Sequence, residues 1–139
     1  MTERAFLDTN VLVYADDADA GEDKREMAQQ LLREALTLGT GVISTQVLQE
    51  FFVVSTRKLG VEPAIARRKV ALLSTLDVVR IRCEDVLAAI DLHRLYALSF
   101  WDALIVRCAL VAGCTRLVTE DLQDGQVFEG LTVDNPFPA

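Results

Sequence analysis

The chain predicts an α/β domain of three layers, α/β/α, built on a central, mainly parallel sheet of four to five strands. Three observations predict it. Short apolar segments recur at RAFL (4–7), GVIS (41–44), VVRI (78–81) and RLVT (116–119). Segments of helical period separate them, which implies a parallel sheet covered on both faces. No repeat, linker or low-complexity stretch interrupts the pattern, so the 139 residues read as one domain, 1–139.

Residues 4–7 form the first strand, closed by Asp8, and a helical turn follows from Asn10 to Tyr14. The acidic stretch 15–23 reads as a solvated loop. From Lys24 to Leu38, apolar residues such as Met27, Leu31, Leu32 and Ala35 recur at helical spacing, and Gly39 and Gly41 end the helix. GVIS is the second strand. Thr45 caps a helix running to about Leu59, with Gly60 at its C-terminal stop. Pro63 opens the next helix, which reaches about Leu76 before the VVRI strand. Asp85 to about Leu98 is helical, although its apolar residues are spread around the axis and leave the buried face open. Ser99 starts a helix that Gly113 ends. RLVT is the fourth strand, TEDLQDGQ a loop turning at Asp124-Gly125, and LTV (131–133) a last edge strand. Pro136 and Pro138 mark a loose tail.

At this length a domain buries roughly 68% of its unfolded surface. Apolar residues make up 51% of the chain and mean hydropathy is +0.25, a surplus that predicts an apolar surface patch for self-association or a partner. No apolar run is long enough to span a membrane. The opening MTERAFLDTN is charged where a signal peptide needs its apolar core, and Cys83, Cys108 and Cys114 lack CxxC spacing; both predict a cytoplasmic protein with reduced thiols. Net charge is −7, which opposes binding to nucleic acid. The deficit is local, since Asp16, Asp17, Asp19, Glu22 and Asp23 carry all but −2 of it. Basic residues occur in small groups (Arg57 with Lys58; Arg67, Arg68 and Lys69; Arg80 with Arg82), each as well read as a solvated face.

Four carboxylates lie near places where a strand has just ended or a helix is beginning: Asp8, Glu50, Asp102 and Asp121. In a parallel α/β fold those junctions open on one sheet edge, where ligands bind. Acids sharing a pocket repel unless a cation or proton offsets them, and hard Mg²⁺ or Mn²⁺ takes oxygen ligands. Each acid also has a plain structural explanation. Asp8 can cap the next helical turn. Glu50 sits mid-helix at the boundary of the apolar face, where a solvated Glu is common. Asp102 can complete a capping box with Ser99, so capping and ligation compete for one side chain. Asp121 lies in a loop rich in acids, with Glu120 and Asp124 close by and the Thr119 hydroxyl just before it. Their joint placement at one edge makes the case for a metal-dependent enzyme of phosphoryl chemistry.

These residues resemble a known family. FLDTNVLVYA, VLQEF, LSFWDALIVRCALVAGC and LVTEDLQDGQ are similar, in order and spacing, to the four acid-bearing motifs of the PIN-domain ribonucleases, in particular the VapC-type toxins of toxin–antitoxin pairs. The resemblance covers nearly the whole chain and implies a PIN-like doubly wound parallel sheet, an RNA substrate, a homodimer, and a cognate antitoxin inserting a segment near the site. It implies Asp8 and Asp102 as principal Mg²⁺ (or Mn²⁺) ligands, with Glu50 and Asp121 completing the catalytic pocket directly or through water. Thr9, Asn10 and Thr119 would be supporting hydrogen-bonders, and Asp124 a further acid. The strong acidity departs from what an RNA-binding surface needs, and the acidic insert at 16–23 is as readily turned toward a basic partner.

One or two metal ions would activate water for in-line attack on a phosphodiester, leaving 5′-phosphate and 3′-hydroxyl ends. A two-histidine ribonuclease route fails because His93 is the single histidine, and its helical spacing reads as a core or boundary position. No GxSxG, GxxxxGK[ST] or GxGxxG loop is present. A dehalogenase-like phosphatase wants Asp where Asn10 stands, and a receiver domain lacks its late lysine. Two rivals stay open: a PIN nuclease of RNA processing without an antitoxin, and a non-catalytic PIN-like binding module.

Overall fold

The element order follows from where apolar segments can be buried. In a computed structural model, which describes residues 3–137, β1 (Ala5–Leu7) leads into α1 (Thr9–Asp16) and α2 (Glu22–Leu38). Then come β2 (Gly41–Ser44), α3 (Thr45–Arg57), α4 (Pro63–Leu73) and β3 (Asp77–Val79). The chain continues through α5 (Cys83–Tyr96), α6 (Phe100–Val111), β4 (Arg116–Val118), β5 (Val127–Phe128) and β6 (Leu131–Asp134). One sheet holds all six strands in the order β3-β2-β1-β4-β6-β5. Every pairing is parallel except that of β5 with β6. Helices cover the sheet, and the expected α/β class holds.

The central strands are the driest part of the molecule. Phe6 faces Val42 on one side and Leu117 on the other, and all three are fully buried. Gly41 is required where β2 passes under α2. A Cβ there would lie 2.5 Å from the Cβ of Ala35 and 3.2 Å from Leu76 Cδ2. Gly41→Ala is therefore expected to destabilise the fold by about 1–3 kcal/mol through overpacking. A urea midpoint within error of wild type would refute this.

Several elements differ from the sequence reading. α1 is a full helix, and α2 begins at Glu22, because Glu22 and Asp23 suit the positive end of a helix. Ser44, not Thr45, caps α3 by accepting from Val47 N at 3.4 Å. α4 ends at Leu73 and β3 is shifted to Asp77–Val79. α5 starts at Cys83 because Asp85 acts from the third helical position, accepting the Arg82 N–H at 2.9 Å. It stops at Tyr96, where Ala97 turns left-handed with φ 56°.

LTV is not an edge strand. β6 lies between β4 and β5. Glu129 (φ 49°) and Gly130 (φ 91°) make the tight β5–β6 hairpin, a turn that Asn-Gly would have signalled but Glu-Gly does not. The tail is not loose either: Phe137 is buried and meets the Tyr14 ring edge-on at 5.2 Å. Pro138 lies outside the described residues. His93 is exposed instead of core or boundary; its Nδ1 contacts the Leu98 carbonyl beyond the end of α5.

The cysteines are free thiols, as expected. Burial pushes Cys108 up to about 12 and Cys114 up to about 11, so neither is reactive near neutrality. No helix among the described residues is long and apolar enough to cross a membrane.

The chain leaves β1 toward β2 and β3 on one side, then crosses back to β4 on the other. The strand order reverses between β1 and β4. That switch point is where an open α/β sheet forms its ligand crevice.

Candidate active site

Asp8 follows β1 and Thr119 follows β4, so the reversal of strand order sets them side by side. The backbone locks the junction: Asp8 N donates to the Val118 carbonyl at 3.0 Å. Asp8 caps α1 by accepting from Thr9 N at 2.7 Å, and its other oxygen accepts from the Thr119 hydroxyl at 2.8 Å. Capping and participation in the cluster therefore coexist. Only 6% of Asp8 is exposed. Burial raises its pKa from the usual carboxylate range to about 7, against the two hydrogen bonds that lower it, and Asp121 and Glu50 add repulsion.

The remaining groups spread outward from Asp8. Thr119 Oγ1 also accepts from Asp121 N at 3.1 Å. Asn10 Nδ2 donates to Asp121 Oδ2 at 3.1 Å and lies 3.5 Å from the Thr119 hydroxyl. Burial raises the Asp121 pKa too, assisted by Asp102 and Glu120 and opposed by Asn10. On the other flank, Thr9 donates its hydroxyl to Glu50 Oε1 at 3.1 Å.

Asp102 joins the cluster through charge alone. Ser99 caps α6 by accepting from Asp102 N at 3.1 Å, but among the described residues no hydrogen bond engages the Asp102 carboxylate. The competition between capping and ligation thus leaves that carboxylate uncommitted. Asp124 stands apart: its Oδ1 accepts from Asn135 N at 2.9 Å and orders the C-terminal turn. Among the described residues, no three Asp, Glu, His or Cys side chains stand close enough to form a ready metal-ligand set.

Two groups at the site escaped the sequence reading. Gln46, one turn before Glu50 on α3, is buried and donates Nε2 to Glu50 Oε1 at 3.3 Å. Its signal was the i, i+4 spacing to an acid, which equally describes any helix face. Beside Asp121, Glu120 accepts from the Tyr14 hydroxyl and pairs with Lys24 at 3.0 Å. Lys24 Nζ also sits 4.6 Å from the centre of the Tyr14 ring. This tie fastens α1 and α2 to the loop that carries Asp121.

A PIN domain family model matches residues 5–124, a span that runs from β1 through all four acids. The chain belongs to the PIN-domain family. Among solved structures, this PIN domain is similar to a toxin–antitoxin complex from Klebsiella pneumoniae, at 22% identity over 97% of this chain and 99% of that one, with TM-score 0.71. It is similar also to VapC20 from Mycobacterium tuberculosis, a sarcin-ricin loop cleaving toxin, at 20% identity over 81% and 86% of the two chains, TM-score 0.66. A third is VapBC2 from Rickettsia felis bound to a DNA fragment from their promoter, at 22% identity over 94% and 97%, TM-score 0.67. At these identities the likeness establishes the fold. No curated protein sequence matches the chain.

Proposed function

We propose that this PIN domain is a metal-dependent ribonuclease of the VapC toxin type. The observation that carries the proposal is the buried Asp8 at the switch point, held near neutral pKa by burial and by the negative charge of Asp121 and Glu50. The site offers oxygen donors throughout: four carboxylates, two hydroxyls and the Asn10 amide, whose buried Oδ1 has no hydrogen-bond partner among the described residues. That chemistry fits a hard divalent cation. Asp8 and Asp102 would hold Mg²⁺ or Mn²⁺ directly. Glu50 and Asp121 would act largely through water, since the acids do not close on one point and Mg²⁺ retains several waters. The ion would supply charge neutralisation on the phosphodiester and a more acidic water.

The protein's own residues do the positioning. Thr119 and Thr9 N fix the two Asp8 oxygens, and Asn10 fixes Asp121. Glu50, on the solvent side of the cluster, is placed to orient water or take its proton. In-line attack by water with the 3′-oxygen leaving gives 5′-phosphate and 3′-hydroxyl ends and makes no use of the 2′-hydroxyl.

Partners follow from the apolar surplus. A groove of about 650 Å³ between α3 and α4 is lined by Leu48, Phe52, Val53, Pro63, Ala64 and Val70. It lies on the helix that carries Glu50, which suits an antitoxin segment that reaches the active site. Leu87, Leu95 and Trp101 on α5 and α6 are 65%, 73% and 62% exposed, a surface that suits a second copy of the chain.

The test is cleavage of a mixed RNA pool with Mg²⁺ or Mn²⁺, with EDTA and Asp102→Asn as controls. Metal-dependent cutting that leaves 5′-phosphates and is lost in Asp102→Asn is the expected result. Equal inertness of wild type and variant, both folded and the wild type binding no metal, would hand the site to the binding-module reading, with its acids as helix caps.

A further inference from the structure

We infer that Gln46 is a positioning residue that clamps the Glu50 carboxylate and selects which of its oxygens faces the reacting centre; the inference rests on the metal-dependent reading above. Glu50 Oε1 accepts from two donors, Thr9 Oγ1 at 3.1 Å and Gln46 Nε2 at 3.3 Å. Among the described residues nothing donates to Oε2. One oxygen is saturated and the other is presented.

Gln46 is an unusual residue for its place. It is 4% exposed, and its own Oε1 is buried with no hydrogen-bond partner among the described residues. A buried amide left half-satisfied is unfavourable for the fold, and an apolar residue of the same length would avoid the penalty. Its orientation has one electrostatic solution, because the amide oxygen turned toward Glu50 would repel the carboxylate. The NH₂ group must face Glu50, and the orphaned oxygen is the consequence. Asn10 repeats the pattern on the opposite flank: Nδ2 donates to Asp121 Oδ2 at 3.1 Å, while the buried Oδ1 has no partner among the described residues. Two neutral amides thus steady the two outer carboxylates without adding charge to a pocket already rich in it. Elements β1–α1 and α3 are joined by the same contact, since Thr9 and Gln46 converge on one atom.

The experiment compares wild type, Gln46→Met and Gln46→Glu. Met keeps the length and burial but removes the donor; Glu keeps the shape but adds a charge facing Glu50. Two readouts are taken: Mn²⁺ affinity by electron paramagnetic resonance of free Mn²⁺, and kcat and KM on an RNA substrate. Loss of a hydrogen bond that orients a carboxylate acting on the metal's water shell is expected to weaken Mn²⁺ binding or kcat about tenfold or more, with KM for RNA little changed. Gln46→Glu should be the worse of the two. A purely structural Gln46 would shift thermal stability only, so a folded Gln46→Met with Mn²⁺ affinity and kcat within about twofold of wild type overturns the clamp and leaves the nuclease reading intact. Wild type that neither cleaves RNA nor binds Mn²⁺ overturns that reading, and the clamp with it. Should Gln46→Met fail to fold, Thr9→Val removes the other donor to the same oxygen and must reproduce the loss.

Discussion

Asp8→Asn is expected to abolish RNA cleavage and, at pH 8, to make the protein more stable. Losing a ligand of the proposed metal should lower kcat about a thousandfold, equivalent to about 4 kcal/mol of transition-state stabilisation. The stability effect has the opposite sign. In the folded chain Asp8 holds its proton up to about pH 7, against 3.8 for the ordinary carboxyl. Between those values the folded state binds more protons than the unfolded state, so stability falls as pH rises and the loss is complete above about 7. Below 3.8 both states are protonated and the burial of Asp8 carries no ionisation penalty. At pH 8 that penalty reaches at most about 4 kcal/mol, and a neutral amide avoids it. Each kcal/mol recovered raises the melting temperature by about 2–4 °C in a domain near this size. The decisive comparison is the melting temperature of Asp8→Asn and wild type at pH 4 and pH 8, without divalent metal. A gain confined to pH 8 supports the account, and an equal shift at both pH values defeats it.

The second large effect lies away from the site. Asp85 is 4% exposed and accepts from Arg107 Nε at 3.0 Å and from Arg82 N at 2.9 Å. Burial pushes its pKa up, but the Arg82 N–H and the Arg107 guanidinium together outweigh it and leave the carboxyl below its usual range. This pair therefore stabilises the fold at neutral pH and ceases to do so as acid protonates Asp85. Arg107→Leu leaves the carboxylate buried beside an apolar side chain. Breaking a fully buried pair costs about 3–5 kcal/mol, while an exposed pair contributes at most about 1. With the Arg107 side chain 32% exposed, an intermediate loss of about 2–3 kcal/mol is expected. Urea denaturation should show it, and Asp85→Asn combined with Arg107→Leu, which removes the charge but keeps an acceptor for the Arg82 N–H, should recover most of it. A double variant no more stable than Arg107→Leu alone would mean the unpaired charge is not the cause.

What the sequence disclosed and what it withheld divide along a physical line. Strands such as GVIS were legible because a sheet covered on both faces needs continuous apolar runs. Asp8 and Asp121 were legible because they end such strands, and the proximity of Asp8 to Thr119 follows once the strand order is known. The β5–β6 hairpin was hidden because its turn uses Glu129 at positive φ, a conformation that residue rarely signals. Phe137 reads as part of a loose, proline-marked tail until Tyr14 supplies the ring it packs on. Gln46 was invisible as a clamp because its meaning lies in Thr9, which reaches the same oxygen from a different element. Long-range pairings of this kind leave no local pattern.

The junction of β1 with β4 also dictates when the acidic site can exist. Thr119 and Asp8 are separated by 111 positions, and the sheet can seat β4 beside β1 only after α6 has been made. Chains are synthesised from the N-terminus, so a growing polypeptide carries Asp8 and Glu50 long before it carries Asp102 and Asp121. A chain ending before β4 carries Asp8, Glu50 and Asp102 but lacks Asp121 and the Thr119 hydroxyl that holds Asp8. The topology acts as a timer: the acids can gather only once β4 and the turn after it have been made.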